Sequence, residues 1–176
     1  AASDVYKRQA YDNKNEAWKD YYTYGGLPLI LSRKTDELKA EYLISLFNNI
    51  YLKDIKERNS IKTDDELDIL VDIVASATGS LTNPTKISNS FKSMSQKSLS
   101  DKTIKLYLDH LSDAFLIEKS VRFDVKGKKY INTPAKYYFE DVGLRNARLN
   151  FRQQEENHIM ENIIYIELRS RGYRVD

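Results

Sequence analysis

Hydrophobic positions keep a helical period along most of the chain and switch once to a strand period. Residues 13–24 place Trp18, Tyr21 and Tyr22 on overlapping helical faces, and YGGLP (24–28) ends that helix. Its paired glycines allow a left-handed exit, and Pro28 blocks continuation. From Thr35 to about Arg58 the spacing predicts a long amphipathic helix with a core stripe of Leu38, Tyr42, Leu46 and Ile50, continued by Asp54 or Ile55. Thr63 and Glu66 form a capping box ahead of Leu67, Leu70, Val71, Val74 and Ala77, with Gly79 as the stop. Asn83 caps and Pro84 opens a short helix with Ile87, Phe91 and Met94 on one face, and the polar stretch from Ser95 to Leu99 breaks it. Ser100 caps the next helix, whose apolar positions are Ile104, Leu108, Leu111 and Phe115. The period then becomes two. Ile117, Lys119, Val121, Phe123 and Val125 share one parity, KGKK (126–129) turns the chain, and Tyr130 to Phe139 return it as a hairpin partner. Near the end Ile163, Ile164, Ile166 and Leu168 are helical, Gly172 is a stop, and Tyr173 to Val175 alternate like a strand beginning.

These elements define a mainly α fold with one β-hairpin. A helical subdomain is expected over 11–79 and a winged-helix domain over 80–146. Residues 1–10 show no apolar period and no capping logic, and are set aside as an assembly scar. Helix, turn, helix, hairpin is the order of a winged helix. Its second helix leaves Lys102, Thr103 and Lys105 toward solvent, and the hairpin tip offers Lys126, Lys128 and Lys129. In a DNA-reading winged helix the second helix enters the major groove and the tip touches phosphate, so these six are the candidate DNA-binding residues.

Charge sharpens that expectation. The net charge is only +2, yet the segment from Thr85 to Lys136 holds eleven Lys and Arg against five Asp and Glu, which leaves the remainder acidic. No run of about 18 apolar residues exists, so no membrane partner is expected and the chain reads as cytoplasmic. Zero Cys removes disulfides, thiolate metal sites and thiol nucleophiles, and two histidines leave little for His-based catalysis. No glycine-rich phosphate loop is present, so this chain is not expected to be an enzyme. His158 and Glu161 lie three apart but lack further metal ligands, so no metal is expected. Asp54 and Arg58 are spaced for a helical ion pair, Asp141 for capping the short helix after the hairpin, and Gly143 for close packing of that helix on the wing. The tyrosines read as core packing with their hydroxyls at the edge.

The ordered blocks YYTYGGLP (21–28), YLKDIKERNSI (51–61), LVDIVASATGSL (70–81), DKTIKLYLDHLSDAFLI (101–117), KYYFEDVGLRNA (136–147) and MENIIYIELRSRGYRV (160–175) resemble the C-terminal half of prokaryotic AAA-type ATPases, domain of unknown function 4143. The resemblance implies a missing upstream ATPase core that would bind ATP and Mg in the same parent chain. It also implies a winged helix and, over 147–176, the first helix of a truncated PD-(D/E)xK nuclease-like domain. Glu161 matches only the first acid of such a nuclease. On this reading the chain is a non-catalytic accessory fragment that contacts duplex DNA and self-associates through its parent. The alternatives are a protein-interaction or oligomerisation module packing on the ATPase core, or an inactive piece of the nuclease-like domain.

Overall fold

The computed structural model describes residues 13–61, 64–127, 129–152 and 155–176. Helix α1 (Lys14–Tyr24) starts where the Asn13 side chain accepts a hydrogen bond from the Asn15 amide at 2.9 Å. It stops at Gly25, whose φ of 73° suits glycine; a Cβ there would also run into the Asp141 carboxylate. Pro28 opens a 3-10 turn, Pro28–Ser32, that sinks Ile30 fully into the core.

Thr35 caps helix α2, which runs as Asp36–Leu46, a π-helical turn Phe47–Leu52 and a last stretch Lys53–Arg58. The π-turn adds a residue to one turn and rotates the buried stripe. Lys39, Leu43, Phe47, Leu52 and Ile55 face the interior, whereas Leu38 and Ile50 are exposed and Tyr42 and Leu46 are half-buried. The predicted stripe is corrected by one position at Lys39, Leu43 and Phe47 and by two at Leu52, while Ile55 is buried as one of the two expected continuations. Buried Lys39 is neutralised by Asp20 of α1, and the Tyr24 ring lies 5.1 Å from its ammonium. Arg58 and Asp54 pair as their spacing predicts.

Helix α3 (Asp64–Ser76) buries Leu67, Leu70, Val71 and Val74, as expected, and Gly79 follows with φ 73°. Its expected cap, Thr63, lies outside the described residues. Helix α4 (Pro84–Ser95) is capped by Asn83, which accepts from the Lys86 amide at 2.8 Å, and α5 (Asp101–Asp113) by Ser100, which accepts from the Thr103 amide at 3.1 Å. Ile87, Phe91, Ile104, Leu108 and Leu111 are buried. Met94 and Phe115 depart from the predicted faces. Met94 is exposed because Leu99, in the following turn, enters the core while its carbonyl accepts from the Ser88 hydroxyl at 2.9 Å. Phe115 adopts a left-handed φ of 54° to end α5, which swings its ring into solvent and admits Leu116 instead.

Strands β1 (Ile117–Asp124) and β2 (Lys129–Phe139) pair antiparallel. The register runs from Ile117↔Phe139 to Val121↔Ala135 and then jumps to Arg122↔Ile131, so Asn132, Thr133 and Pro134 bulge out of β2. The expected alternation also fails ahead of the bulge, where Ser120 is buried and Lys119 exposed, and Val125 belongs to the turn. Thr82 adds an isolated bridge to Ala135, with amide-to-carbonyl bonds of 2.8 Å in both directions.

Helix α6 (Val142–Arg148) begins at Asp141, whose carboxylate accepts from the Gly143 and Leu144 amides at 2.8 and 3.2 Å. Gly143 packs on the Tyr24–Gly25 backbone and not on the wing, because α6 fills the corner at the end of α1. Helix α7 (Glu156–Ser170) lies against β2, where the Asn162 carboxamide bonds both the amide and the carbonyl of Phe139, at 2.8 and 2.7 Å. The strand expected at Tyr173 to Val175 does not form: the Tyr173 amide turns back to the Leu168 carbonyl at 3.0 Å and closes α7. One hydrophobic cluster from Ile30 to Ala147 joins α2 through α6 with the hairpin, and Val142, Ile159 and Ile163 form a smaller one between α6 and α7. The described chain is mainly helical with one two-stranded antiparallel hairpin.

Candidate functional site

Three clusters of polar side chains carry chemistry. The first is the cationic face of α4, α5 and the hairpin. Lys102 and Lys105 are exposed on α5, and Lys126 is exposed in the turn, its amide donating to Asp124 at 3.1 Å. Thr103 is half-buried, and its hydroxyl lies 2.8 Å from that of Ser100 within the helix cap. Lys128 and the side chain of Lys129 lie outside the described residues. The same face of α5 also carries Asp109, and Asp113 is exposed at the end of the helix.

The second feature surrounds Glu161. Its Oε1 accepts from the Lys136 ammonium and from the Tyr138 hydroxyl, both at 2.6 Å, and the Tyr138 ring stacks on Tyr165 with centroids 4.0 Å apart. Burial pushes the Glu161 carboxyl up, but the two hydrogen bonds outweigh it and hold the group below the usual carboxylate range. Burial and then Glu161 itself push the Tyr138 phenol up; burial, followed by Glu118, lifts Tyr165 to about 12. Among the described residues no cluster of His, Asp and Glu can hold a metal ion. Glu161 therefore ties α7 to the hairpin. A lowered folded-state pKa means that this tie stabilises the fold above the unfolded value of about 4.3 and fades as pH falls through the folded one. Glu161→Gln should cost about 0.5 kcal/mol at pH 7, a small figure because the pair is partly exposed. The cost should shrink as the pH is taken down into the acid range, as urea melts at neutral and at acid pH will show. An equal cost at both would place the effect in packing instead.

Between the outer face of the hairpin, α7 and the last residues lies a groove of about 420 Å³, lined by Leu81, Arg122, Lys136, Ile164 and Val175 among others. A larger opening of about 650 Å³ flanks the π-turn, but its cations are engaged: Lys56 with Asp68 at 2.6 Å and Lys53 with Glu57 at 3.9 Å. The groove escaped sequence reasoning because its walls come from five distant segments. Pro134 within a strand-like run was the one local sign of irregularity there.

The third feature is α6, buried from Val142 to Ala147. Arg145 is only 1% exposed; its Nε donates to the Ala75 carbonyl at 2.9 Å and its Nη1 to the Asn146 side chain at 3.1 Å. Asn146 in turn donates to the Tyr22 and Thr23 carbonyls at the end of α1, at 3.1 and 2.9 Å. Arg148 reaches Asp72 at 2.6 Å and Asp68 at 3.0 Å on α3. The VGLRNAR stretch thus satisfies carbonyls at the ends of two helices and fixes how α1 and α3 meet.

The chain belongs to the family described as Domain of unknown function (DUF8612), whose family model matches residues 15–155. It is similar to an uncharacterised protein of Haemophilus influenzae, at 37% identity over 162 residues, covering 92% of this chain and 40% of that protein. It is also similar to the uncharacterised protein MJ1544 of Methanocaldococcus jannaschii, at 31% identity over 173 residues, covering 97% of this chain and 38% of that protein. The chain spans about two fifths of the length of these relatives. No solved structure matches it. The DUF8612 match corrects the expected membership of domain of unknown function 4143, and with it falls the reading as an accessory fragment of an AAA-type ATPase or of a PD-(D/E)xK nuclease. The blocks behind that resemblance are explained by packing: YGGLP and VGLRNAR meet at Gly25 and Gly143, and Glu161 anchors the hairpin. Among the described residues no helix is long and apolar enough to cross a membrane.

Proposed function

We propose that the winged helix expected over 80–146 instead takes in α3 and ends with the hairpin, over residues 64–139, and that its cationic face contacts the phosphates of duplex DNA without reading its bases. The order of α3, the Thr82 bridge, α4, α5 and the hairpin supports the winged-helix assignment. The observation that carries the contact is the distribution of charge. Lys86, Lys92, Lys97, Lys102, Lys105, Lys119, Arg122 and Lys126 are all exposed; among them only Lys97 lies within 4.0 Å of a described carboxylate, Asp65 at 3.9 Å. Base reading is disfavoured because Asp109 and Asp113 would meet the phosphate-lined mouth of the groove.

A labelled duplex should bind this chain in low salt and lose affinity steeply as salt rises, followed by fluorescence anisotropy. Each phosphate contact contributes a slope of about 0.9 in log affinity against log salt, so a Lys102→Ala, Lys105→Ala, Lys126→Ala variant should flatten it by about two to three units. Affinity should depend little on base sequence. Absence of binding at low salt, or an unchanged slope in the variant, would remove this function.

A further inference from the structure

We propose that the outer edge of β1 is a self-pairing surface, along which a second copy of this chain adds its own β1 antiparallel about a two-fold axis through Ser120. The direction of the backbone on each strand decides which edge is open. On β2 the Ala135 amide and carbonyl bond Thr82 at 2.8 Å, the Tyr137 carbonyl accepts from the Gly79 amide at 3.2 Å, and the Phe139 amide and carbonyl meet the Asn162 carboxamide. These three residues therefore turn their peptide groups away from β1. The residues opposite them in the register, Val121, Lys119 and Ile117, turn away from β2 in the same manner and point their N–H and C=O groups off the free side of the hairpin. Ile117 is buried, but Lys119 is exposed and Val121 half-buried, and neither makes a backbone hydrogen bond on that side to a described residue. The bulge falls wholly on β2, so β1 stays regular from Ile117 to Asp124. One edge of the sheet is capped; the other is a template for a strand.

The side chains select the occupant. Symmetric antiparallel pairing matches outward-facing residues with outward-facing ones, so the axis passes through a residue and not between two. An axis at Lys119 or at Arg122 would set like charges against each other on the axis itself, and an axis at Val121 would set Glu118 opposite Asp124 of the second copy. An axis at Ser120 sets Glu118 opposite Arg122 on both sides of it and joins Lys119 to Val121 through the ladder. It also puts the smallest side chain of β1 where the two backbones come closest. Both charged groups are ready for that pairing: Arg122 is exposed and makes no ion pair with a described residue, and the Arg169 guanidinium of α7 fixes the Glu118 carboxylate at 2.6 Å. The surface does not depend on the phosphate contacts, because no residue of the salt-slope variant lies on β1.

Sedimentation of the full chain, at concentrations up to about 1 mM, should show a monomer–dimer equilibrium. Lys119→Pro removes an amide that only the second copy uses, so it should raise the dimer dissociation constant by roughly tenfold or more while the hairpin ladder stays whole. A thermal melt close to that of the parent will confirm the intact fold. Arg122→Glu and Glu118→Arg should each, alone, weaken the dimer by about tenfold, because either change sets like charges across the axis. Mixed in equal amounts, those two variants should dimerise again at least as well as the parent, since every cross-strand pair is then acid against base. A variant that had lost its fold could not give that recovery. The proposal is overturned if the chain stays monomeric throughout that range, if a folded Lys119→Pro variant dimerises like the parent, or if the mixed charge variants remain as monomeric as each alone.

Discussion

Gly143→Ala should unfold this domain or bring it to the edge of unfolding. A methyl group there would overlap the Tyr24 carbonyl oxygen and come within 2.8 Å of the Gly25 nitrogen, and both neighbours are backbone. A flexible side chain would yield to a new methyl; backbone that ends α1 and simultaneously hydrogen-bonds Asp141 has nowhere to go, since the Gly26 amide is held by the Asp141 carboxylate at 2.7 Å. The cost should exceed about 4 kcal/mol, at the extreme of point-substitution effects. For a chain of this size that lowers the melting midpoint by roughly 10 °C or more. A melt within about 3 °C of the parent would show that the contact between α6 and the YGG turn relaxes freely.

Arg145→Ala is the second large effect, at about 3–5 kcal/mol. The side chain is among the largest that are fully buried, so truncation opens a cavity. It also strips a donor from the Ala75 carbonyl and from Asn146, leaving polar groups short of partners away from water. The Ala75 carbonyl retains the Thr78 hydroxyl at 3.1 Å, which limits the loss at that end. Arg145→Met separates the two contributions: it refills most of the volume without restoring a donor, and should recover about half of the loss. Urea unfolding of both variants reads the difference directly. Full recovery in the Met variant would reduce Arg145 to a space-filler.

Local signals in the chain were legible where they act over a few residues. Asn83, Ser100 and Asp141 cap the helices that their spacing announces, because a cap needs only an oxygen and an amide two or three residues on. The hairpin was legible from its change of period. Phase was lost wherever the backbone inserted residues without a compositional mark. FNNIYL carries nothing that announces a π-turn, yet that turn decides that Leu52 and Ile55 are buried while Ile50 is not. Phe115 continues the helical period on paper, but a left-handed residue ends the helix first. The sites follow the same division. The lysines of α5 and of the hairpin tip belong to contiguous segments and could be named from sequence; the groove joins Leu81, Arg122, Lys136, Ile164 and Val175, which only the fold brings together.

Asn162 gives the hairpin a finish that its two strands lack. A carboxamide has the donor and acceptor of a peptide group, and here it occupies the position beside Phe139 that a third strand would otherwise take. That end of β2 is consequently closed to recruitment by a neighbouring molecule, and Thr82 shuts the stretch around Ala135 in the same manner. A small, lysine-bearing sheet in a crowded solution is thereby shielded from fibre-like stacking along that edge, by one amide side chain at its end and by the Gly79–Thr82 backbone beside it.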